Sequence, residues 1–322
     1  MAADPRQPSG IPSEYRSGFV GLIGKPNVGK STILNAFVGH KISITSPRPQ
    51  TTRHRILGIL TRPTAQVIFI DSPGWHKPHH PLGRYLVTVA KGVIEEADVL
   101  LTVIDAVSGV GQEDEWVFEQ ARRTTRPTIL AINKVDLVAK SSVLPTIARC
   151  AALNLFEELI PVSAVTGDNM ESLLTQLIAR LPPGPRWYEP EQLTDQSTDQ
   201  VIREFIREQV LRATRQEVPH AVAVLLDAVT SKDQPPTAQG PSQRLGVMVI
   251  QATILVEREG QKAIIIGKKG ERLKQIGTAC RLELERWLGR RVFLDLWVKV
   301  AKEWRTNSAI LRQLGYASTT HH

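Results

Sequence analysis

The chain has little cysteine and no long apolar run. Its two cysteines, Cys150 and Cys280, lie far apart and fit no metal-ligand spacing, so a reduced, cytoplasmic thiol state is the expectation. No apolar stretch approaches the roughly 20 residues that span a bilayer. The polar segment from Met1 to Ser17 is rich in Pro, Ser and Gly and lacks the apolar centre of a signal peptide. What remains is the composition of a globular chain of 322 residues, 42% hydrophobic and 22% charged, long enough for two cores. The net charge of +8 calls for an acidic partner, nucleic acid or a membrane surface. The excess is concentrated: Glu257 to Gln313 holds fourteen Lys/Arg against seven Asp/Glu.

Short apolar runs alternate with helical patterns as far as Leu181. Strands are predicted at Phe19–Ile23, Ile56–Thr61, Gln66–Ile70, Val99–Ile104, Thr128–Ile132 and Leu159–Val162, with helices such as Ser31–Val38, Tyr85–Glu96, Glu113–Arg123 and Met170–Arg180. This is the signature of an α/β domain with a mostly parallel sheet, whose ligand sits at the carboxyl ends of the strands. Four prolines among polar residues then mark a linker near Pro182–Thr198. Beyond it the order changes to a helix (Asp199–Thr214), two strands (His220–Val229 and Leu245–Glu257), a short helix (Gln261–Ile266), a long helix to Leu288 and a strand (Arg291–Val300). The two strands are separated by a Pro- and Gln-containing insertion around 231–243, expected to be a flexible hairpin. Leu273, Ile276, Cys280, Leu284 and Leu288 share one face of the long helix and are predicted core, which makes Cys280 a packing residue.

The stretch "GKPNVGKST", Gly24 to Thr32, follows a strand and opens a helix, as a phosphate loop must. Backbone N–H groups through Gly24, Asn27, Val28, Gly29 and Thr32 would face the phosphates, Lys30 would reach the outer ones and Ser31 a Mg²⁺ ion. "DSPG" ends the third strand: Asp71 can hold Mg²⁺ through water, and the Gly74 N–H can meet a γ-phosphate. "NKVD", Asn133 to Asp136 with Lys134 between them, ends the fifth. Asp136 can accept from guanine N1–H and its 2-amino group, which adenine does not offer. "SAVTG" ends the sixth, where N–H groups of Ser163, Ala164 and Val165 can meet guanine O6. Each motif alone is weak; in this order, at successive strand ends, they specify a guanine-nucleotide domain. Thr52 can add a hydroxyl to Mg²⁺, with Thr51 as competitor. His76, His79 and His80 read as a polar loop rather than a zinc site.

Together, GKPNVGKS, QTTRHR, DSPG, NKVD, SAVTG and the downstream "IIIGKKGERLKQIG" resemble the Era family, in which a Ras-like GTPase domain precedes a type II KH domain. The resemblance implies a tail at 1–17, a GTPase domain at 18–181, a linker at 182–198, a KH domain at 199–315 and a tail at 316–322. It implies GTP and GDP as ligands with Mg²⁺, slow hydrolysis in which Lys30, Thr52 and Gly74 take part, and an RNA partner. That RNA would be the 3′ end of small-subunit ribosomal RNA, and the task assembly of the small ribosomal subunit by a monomer. Bare glycines Gly267 and Gly270 let a backbone approach a sugar-phosphate chain. Lys262, Lys268, Lys269, Arg272 and Lys274 supply charge nearby. Ras-like enzymes that orient water themselves use a glutamine where this chain has Trp75. Asn27 matches families in which a potassium ion adds charge at the phosphates. A membrane-surface GTPase is the alternative, with peripheral contact at the inner face of the cell membrane; a metabolic phosphate-loop kinase would have no use for NKVD and SAVTG.

Overall fold

The computed structural model describes residues 15–46, 48, 51–74, 81–214, 218, 221–232 and 246–316. The chain forms two compact units. One comprises the chain up to Asp195 apart from Ser46–Arg48 and a short stretch ending at Tyr85; the other comprises those pieces and Gln196 onward.

In the first unit β1 (Arg16–Ile23), β2 (Ile56–Arg62), β3 (Ala65–Asp71), β4 (Val99–Asp105), β5 (Thr128–Asn133) and β6 (Glu158–Pro161) form one sheet in the order β2-β3-β1-β4-β5-β6. Only β2 runs antiparallel to its neighbour; the other pairings are parallel. Parallel strands covered on both faces need continuous apolar runs, and β3 and β4 supply them with "AQVIFID" and "VLLTVID". On one face Leu22, Phe69, Leu101 and Ala131 pack with Ile33 and Leu34 of α1 (Lys30–Val38) and Leu173 and Leu177 of α5 (Met170–Arg180). On the other, Ile23 and Leu100 pack with Ala90 of α2 (Pro81–Glu96) and Val117 of α3 (Gln112–Arg122). There too Ile132 meets Val143 of α4 (Lys140–Ala151). Every parallel strand therefore ends at the same edge, where the polar motifs lie. β1 starts earlier than predicted: Arg16 and Ser17, expected in a tail, are in the strand, and Tyr15 is buried.

The segment expected to be a linker is instead tied to this sheet as far as Asp195. Pro182 O accepts from Ser17 N (3.1 Å), Leu193 O accepts from Ile59 N (2.8 Å), and the Thr194 hydroxyl donates to Leu57 O (2.7 Å). The fully buried side chain of Gln66 accepts from Trp187 N (2.7 Å) and Tyr188 N (3.0 Å) and donates to Tyr188 O (2.8 Å). Proline lacks an N–H, so a Pro-rich strip is easily read as unpaired; here its carbonyls and its non-proline amides carry the bonding.

The second unit begins with α6 (Thr198–Ala213), whose N-cap Ser197 accepts from Gln200 N (3.3 Å) while Gln200 Oε1 accepts from Ser197 N (3.0 Å). β7 (Ala223–Lys232) and β8 (Val247–Val256) are antiparallel, and β9 (Val292–Val300) lies parallel to β8 on its far side. Most of the insertion between β7 and β8 lies outside the described residues. α7 (Glu259–Ile266) and α8 (Glu271–Leu288) precede β9, and α8 packs on α6 and β9. Of the five predicted core positions on α8, only Ile276, Cys280 and Leu284 are buried. Tyr316, expected in the C-terminal tail, is buried with Trp304, whose Nε1–H donates to Ala221 O (2.7 Å). α9 (Ser308–Gln313) carries the chain between them.

Gln66→Ala should destabilise the protein by about 1–3 kcal/mol, because it removes the buried side chain that holds Trp187 N, Tyr188 N and Tyr188 O. Denaturant unfolding measures the loss, and hydrogen exchange should accelerate at Trp187 and Tyr188 before it does elsewhere in the sheet.

Candidate functional site

Three of the loop's backbone bends demand special conformations. Gly24 (φ 156°) would put a Cβ 2.5 Å from Val103 O, and a Cβ at Gly29 (φ 103°) would collide with Asn133 Nδ2. Asn27 adopts a left-handed φ of 64°, which asparagine tolerates better than most residues. Lys30 is buried, and its ammonium donates to Gly24 O and Lys25 O, both at 2.9 Å. Burial pulls its pKa down to about 8, against the opposing fields of Asp71 and Asp114. Val28, within the loop, is fully buried, and Thr32 sits in the first turn of α1.

Asp71 is the polar centre of the site. It is fully buried, and its Oδ2 accepts from the hydroxyls of Ser31 (2.6 Å), Ser43 (2.8 Å) and Thr52 (3.3 Å). Ser31 Oγ and Thr52 Oγ1 are 3.0 Å apart, so of the two competing threonines it is Thr52 that reaches the serine. Asp71 Oδ1 is buried with no hydrogen-bond partner. Burial raises the carboxyl's pKa, which the three hydroxyls and Lys30 only partly oppose. An unsatisfied buried carboxylate oxygen beside two neighbouring hydroxyls is a hard-oxygen donor set, and it fits Mg²⁺. Gly74 is at the same edge, where an added Cβ would lie 2.7 Å from Pro26 Cα. Trp75, His76, His79 and His80 lie outside the described residues.

The base end is joined to the phosphate end by Asn133. Its Nδ2 donates to Val28 O (2.9 Å) and its Oδ1 accepts from Ala164 N (3.1 Å). Asn133 is therefore a tie between motifs rather than a group free for guanine. Lys134, with φ 68°, extends its ammonium to Asn27 O (2.8 Å) and Asp105 Oδ2 (2.5 Å). Asp136 stands exposed on the 3₁₀ turn Val135–Leu137. Ser163 is fully buried, and its Oγ accepts from Thr166 N (3.1 Å), which shapes the loop that exposes Val165.

Three functional neighbours escape sequence reasoning: Ser43, Asp105 and Asp114. Asp114 Oδ2 accepts from Lys25 Nζ (2.7 Å) and Gly111 N (2.9 Å), and its carboxylate is buried at the start of α3. These residues carry no motif of their own. Only the partner's place in the fold reveals them.

In the second unit, Gly267 (φ 73°) and Gly270 (φ 78°) bracket the 3₁₀ turn Lys268–Gly270, and Lys269 is left-handed (φ 51°). A Cβ on Gly267 would lie 2.8 Å from Arg272 Cβ. Beside the turn is a groove of about 380 Å³ between α8 and β9. Gly270 and Lys274 line it, joined by Leu273, Gly277, Thr278, Arg281, Leu294 and Leu296. Leu273, predicted core, thus forms groove wall. Arg272 is otherwise engaged: its guanidinium donates to Ile264 O (2.5 Å) at the end of α7. Lys262 lies on α7, outside the groove lining.

Comparison with known proteins agrees with this geometry. Residues 19–134 match the family model described as 50S ribosome-binding GTPase, and residues 217–305 match the KH domain model. A structure of Era in complex with MgGDPNP and nucleotides 1506–1542 of 16S ribosomal RNA is 40% identical over 94% of this chain and 99% of its own, with a TM-score of 0.88. The chain belongs to the Era family. A second structure, of an Era point variant from Aquifex aeolicus bound to GDP·AlF4⁻, is also 40% identical with the same coverage and a TM-score of 0.86. As the resemblance implied, the chain is a GTPase with a Ras-like domain followed by a KH domain.

The Era-family phosphate loop here leans on the Lys25–Asp114 pair, and Asp114 is almost wholly buried. Lys25→Met should cost about 3–5 kcal/mol by leaving that carboxylate without its cation. Adding Asp114→Asn should recover part of the loss. Unfolding of both single variants and the double variant measures the coupling.

Proposed function

We propose that this protein is a GTP-hydrolysing RNA-binding factor in small ribosomal subunit assembly, whose nucleotide state controls its hold on the 3′ end of small-subunit ribosomal RNA. The observation that carries the GTP half is the Ser31–Asp71–Thr52 cluster beside Lys30, with Asn133 joining it to the loops that would read the base. Bound there, Mg²⁺ would supply positive charge to offset the negative charge of the outer phosphates. Ser31 and Thr52 would hold it, with Asp71 behind them. Lys30 would leave the loop carbonyls for the outer phosphates. The Gly74 N–H would meet the γ-phosphate, and Asp136 would select guanine. No side chain of the glutamine type follows Gly74, so intrinsic turnover is slow.

The RNA half rests on the GKKG turn at the end of a groove with an apolar wall and a rim formed by Lys274, Arg281 and Thr278. Apolar walls accept base faces and the lysines meet phosphates, the division of labour by which KH modules hold single strands. The Era relative solved with 16S ribosomal RNA supports the identity of the RNA. A cytoplasmic location goes with this reading.

The test is RNA titration of the full chain loaded with GDP or a non-hydrolysable GTP analogue, at one salt concentration, with anionic vesicles as a parallel arm. The expected difference in RNA affinity is about 1–3 kcal/mol, a common size for such coupling. Replacing Lys268 and Lys269 by Ala should lower the salt slope by roughly 0.7 per lost phosphate contact. Equal affinities in the two nucleotide states would remove the control, and an unchanged slope would put the RNA elsewhere.

A further inference from the structure

Ser43 lies between the phosphate loop and the segment that carries Thr52, and neither motif includes it. It is nevertheless fully buried, and its hydroxyl donates to Asp71 Oδ2 at 2.8 Å. Its backbone is locked by one side chain of α1. Asn35 Oδ1 accepts from Ile42 N (2.8 Å) and Ser43 N (2.9 Å), while Asn35 Nδ2 donates to Ser43 O (2.7 Å). An asparagine presents one acceptor and two donors, and here three bonds fix two consecutive residues.

The three hydroxyls on Asp71 Oδ2 are not equivalent. Ser31 belongs to the phosphate loop and Thr52 to the segment that would answer to the γ-phosphate. Both are donors to Mg²⁺ in the GTP reading, on which this inference rests. Ser43 is outside that donor set and is held by Asn35 whether or not those two residues move. We infer that Ser43, clamped by Asn35, is a positioning residue that fixes the Asp71 carboxylate, so that its oxygens face Mg²⁺ without first having to be ordered. Hydrogen bonds behind a metal's ligands matter in this way generally: losing one typically weakens metal binding by about 10–100-fold.

The experiment is release of a fluorescent GDP analogue from the full chain, followed across a range of free Mg²⁺ and in EDTA. Ser43→Ala should raise the Mg²⁺ concentration that half-maximally slows release by about tenfold, the low end of that range. Release in EDTA should stay at the wild-type rate, because the phosphate loop and the base loops are intact. Asn35→Ala should move the Mg²⁺ midpoint in the same direction, and Ser43→Thr, which keeps a hydroxyl, should restore most of it. A wild-type midpoint in Ser43→Ala would overturn the inference. So would a shift matched by equally faster release in EDTA, since that is general damage to the nucleotide site. If Mg²⁺ fails to slow release from the wild-type chain, the GTP reading falls with it; a failure confined to the variants overturns the role of Ser43 alone.

Discussion

Everything at the nucleotide edge depends on one buried amide. Asn133 donates to the phosphate loop at Val28 and accepts from the base loop at Ala164, so segments far apart in sequence meet on one side chain. With Asn133 only 2% exposed, water cannot replace either bond, and an unsatisfied amide there costs more than the bonds themselves contribute. Gly29 has to be glycine for the same reason, since a side chain would occupy the space of that amide. The turn that carries Asp136 inherits its position from this tie, and Lys134 reinforces it by reaching back to Asn27.

The second recurrent device is the charged group held by backbone or by a single opposite charge. Lys30 rests on loop carbonyls, Lys25 on Asp114, and Lys134 on Asp105. Three lysines converge on a phosphate loop, and two of them are matched by carboxylates. Their fields therefore support the loop's shape, while the Lys30 ammonium bonds to the loop's own carbonyls. In the second unit the positive groups serve differently. Lys268 and Lys269 sit on a turn that the glycines force outward, and Arg272 is used up in joining α7 to α8.

Much of this is legible in the sequence, for identifiable reasons. A phosphate loop, DSPG, NKVD and SAVTG are local in sequence because backbone N–H groups and adjacent side chains perform the chemistry, and their order marks the strand ends. The GKKG turn is legible because glycine spacing reports a backbone requirement. Asp105, Asp114 and Ser43 are not, since each acts through a partner that only the sheet and helix packing bring near. The role of Asn133 is hidden for a related reason: the motif names it, but its bonds run to residues 28 and 164. The strap at 182–195 looks like a linker because prolines signal loop; carbonyl acceptors leave no mark on the residue type. Leu273 obeys the helical period of the core and yet faces a groove, because periodicity places a residue on a face without saying what covers that face.

The guanine selection proposed for this edge rests on Asp136. The direct measurement is the affinity of Asp136→Asn for GTP and for xanthosine triphosphate, beside wild type. The exchange replaces a two-bond acceptor by a mixed donor and acceptor, matched to the carbonyl that xanthine carries at C2. The bond to the 2-amino group is lost, about 1.5–3 kcal/mol, and the one to N1–H loses its charge assistance, so GTP should weaken by roughly a hundredfold, with xanthosine triphosphate becoming the preferred ligand. A variant that still prefers GTP would contradict the account.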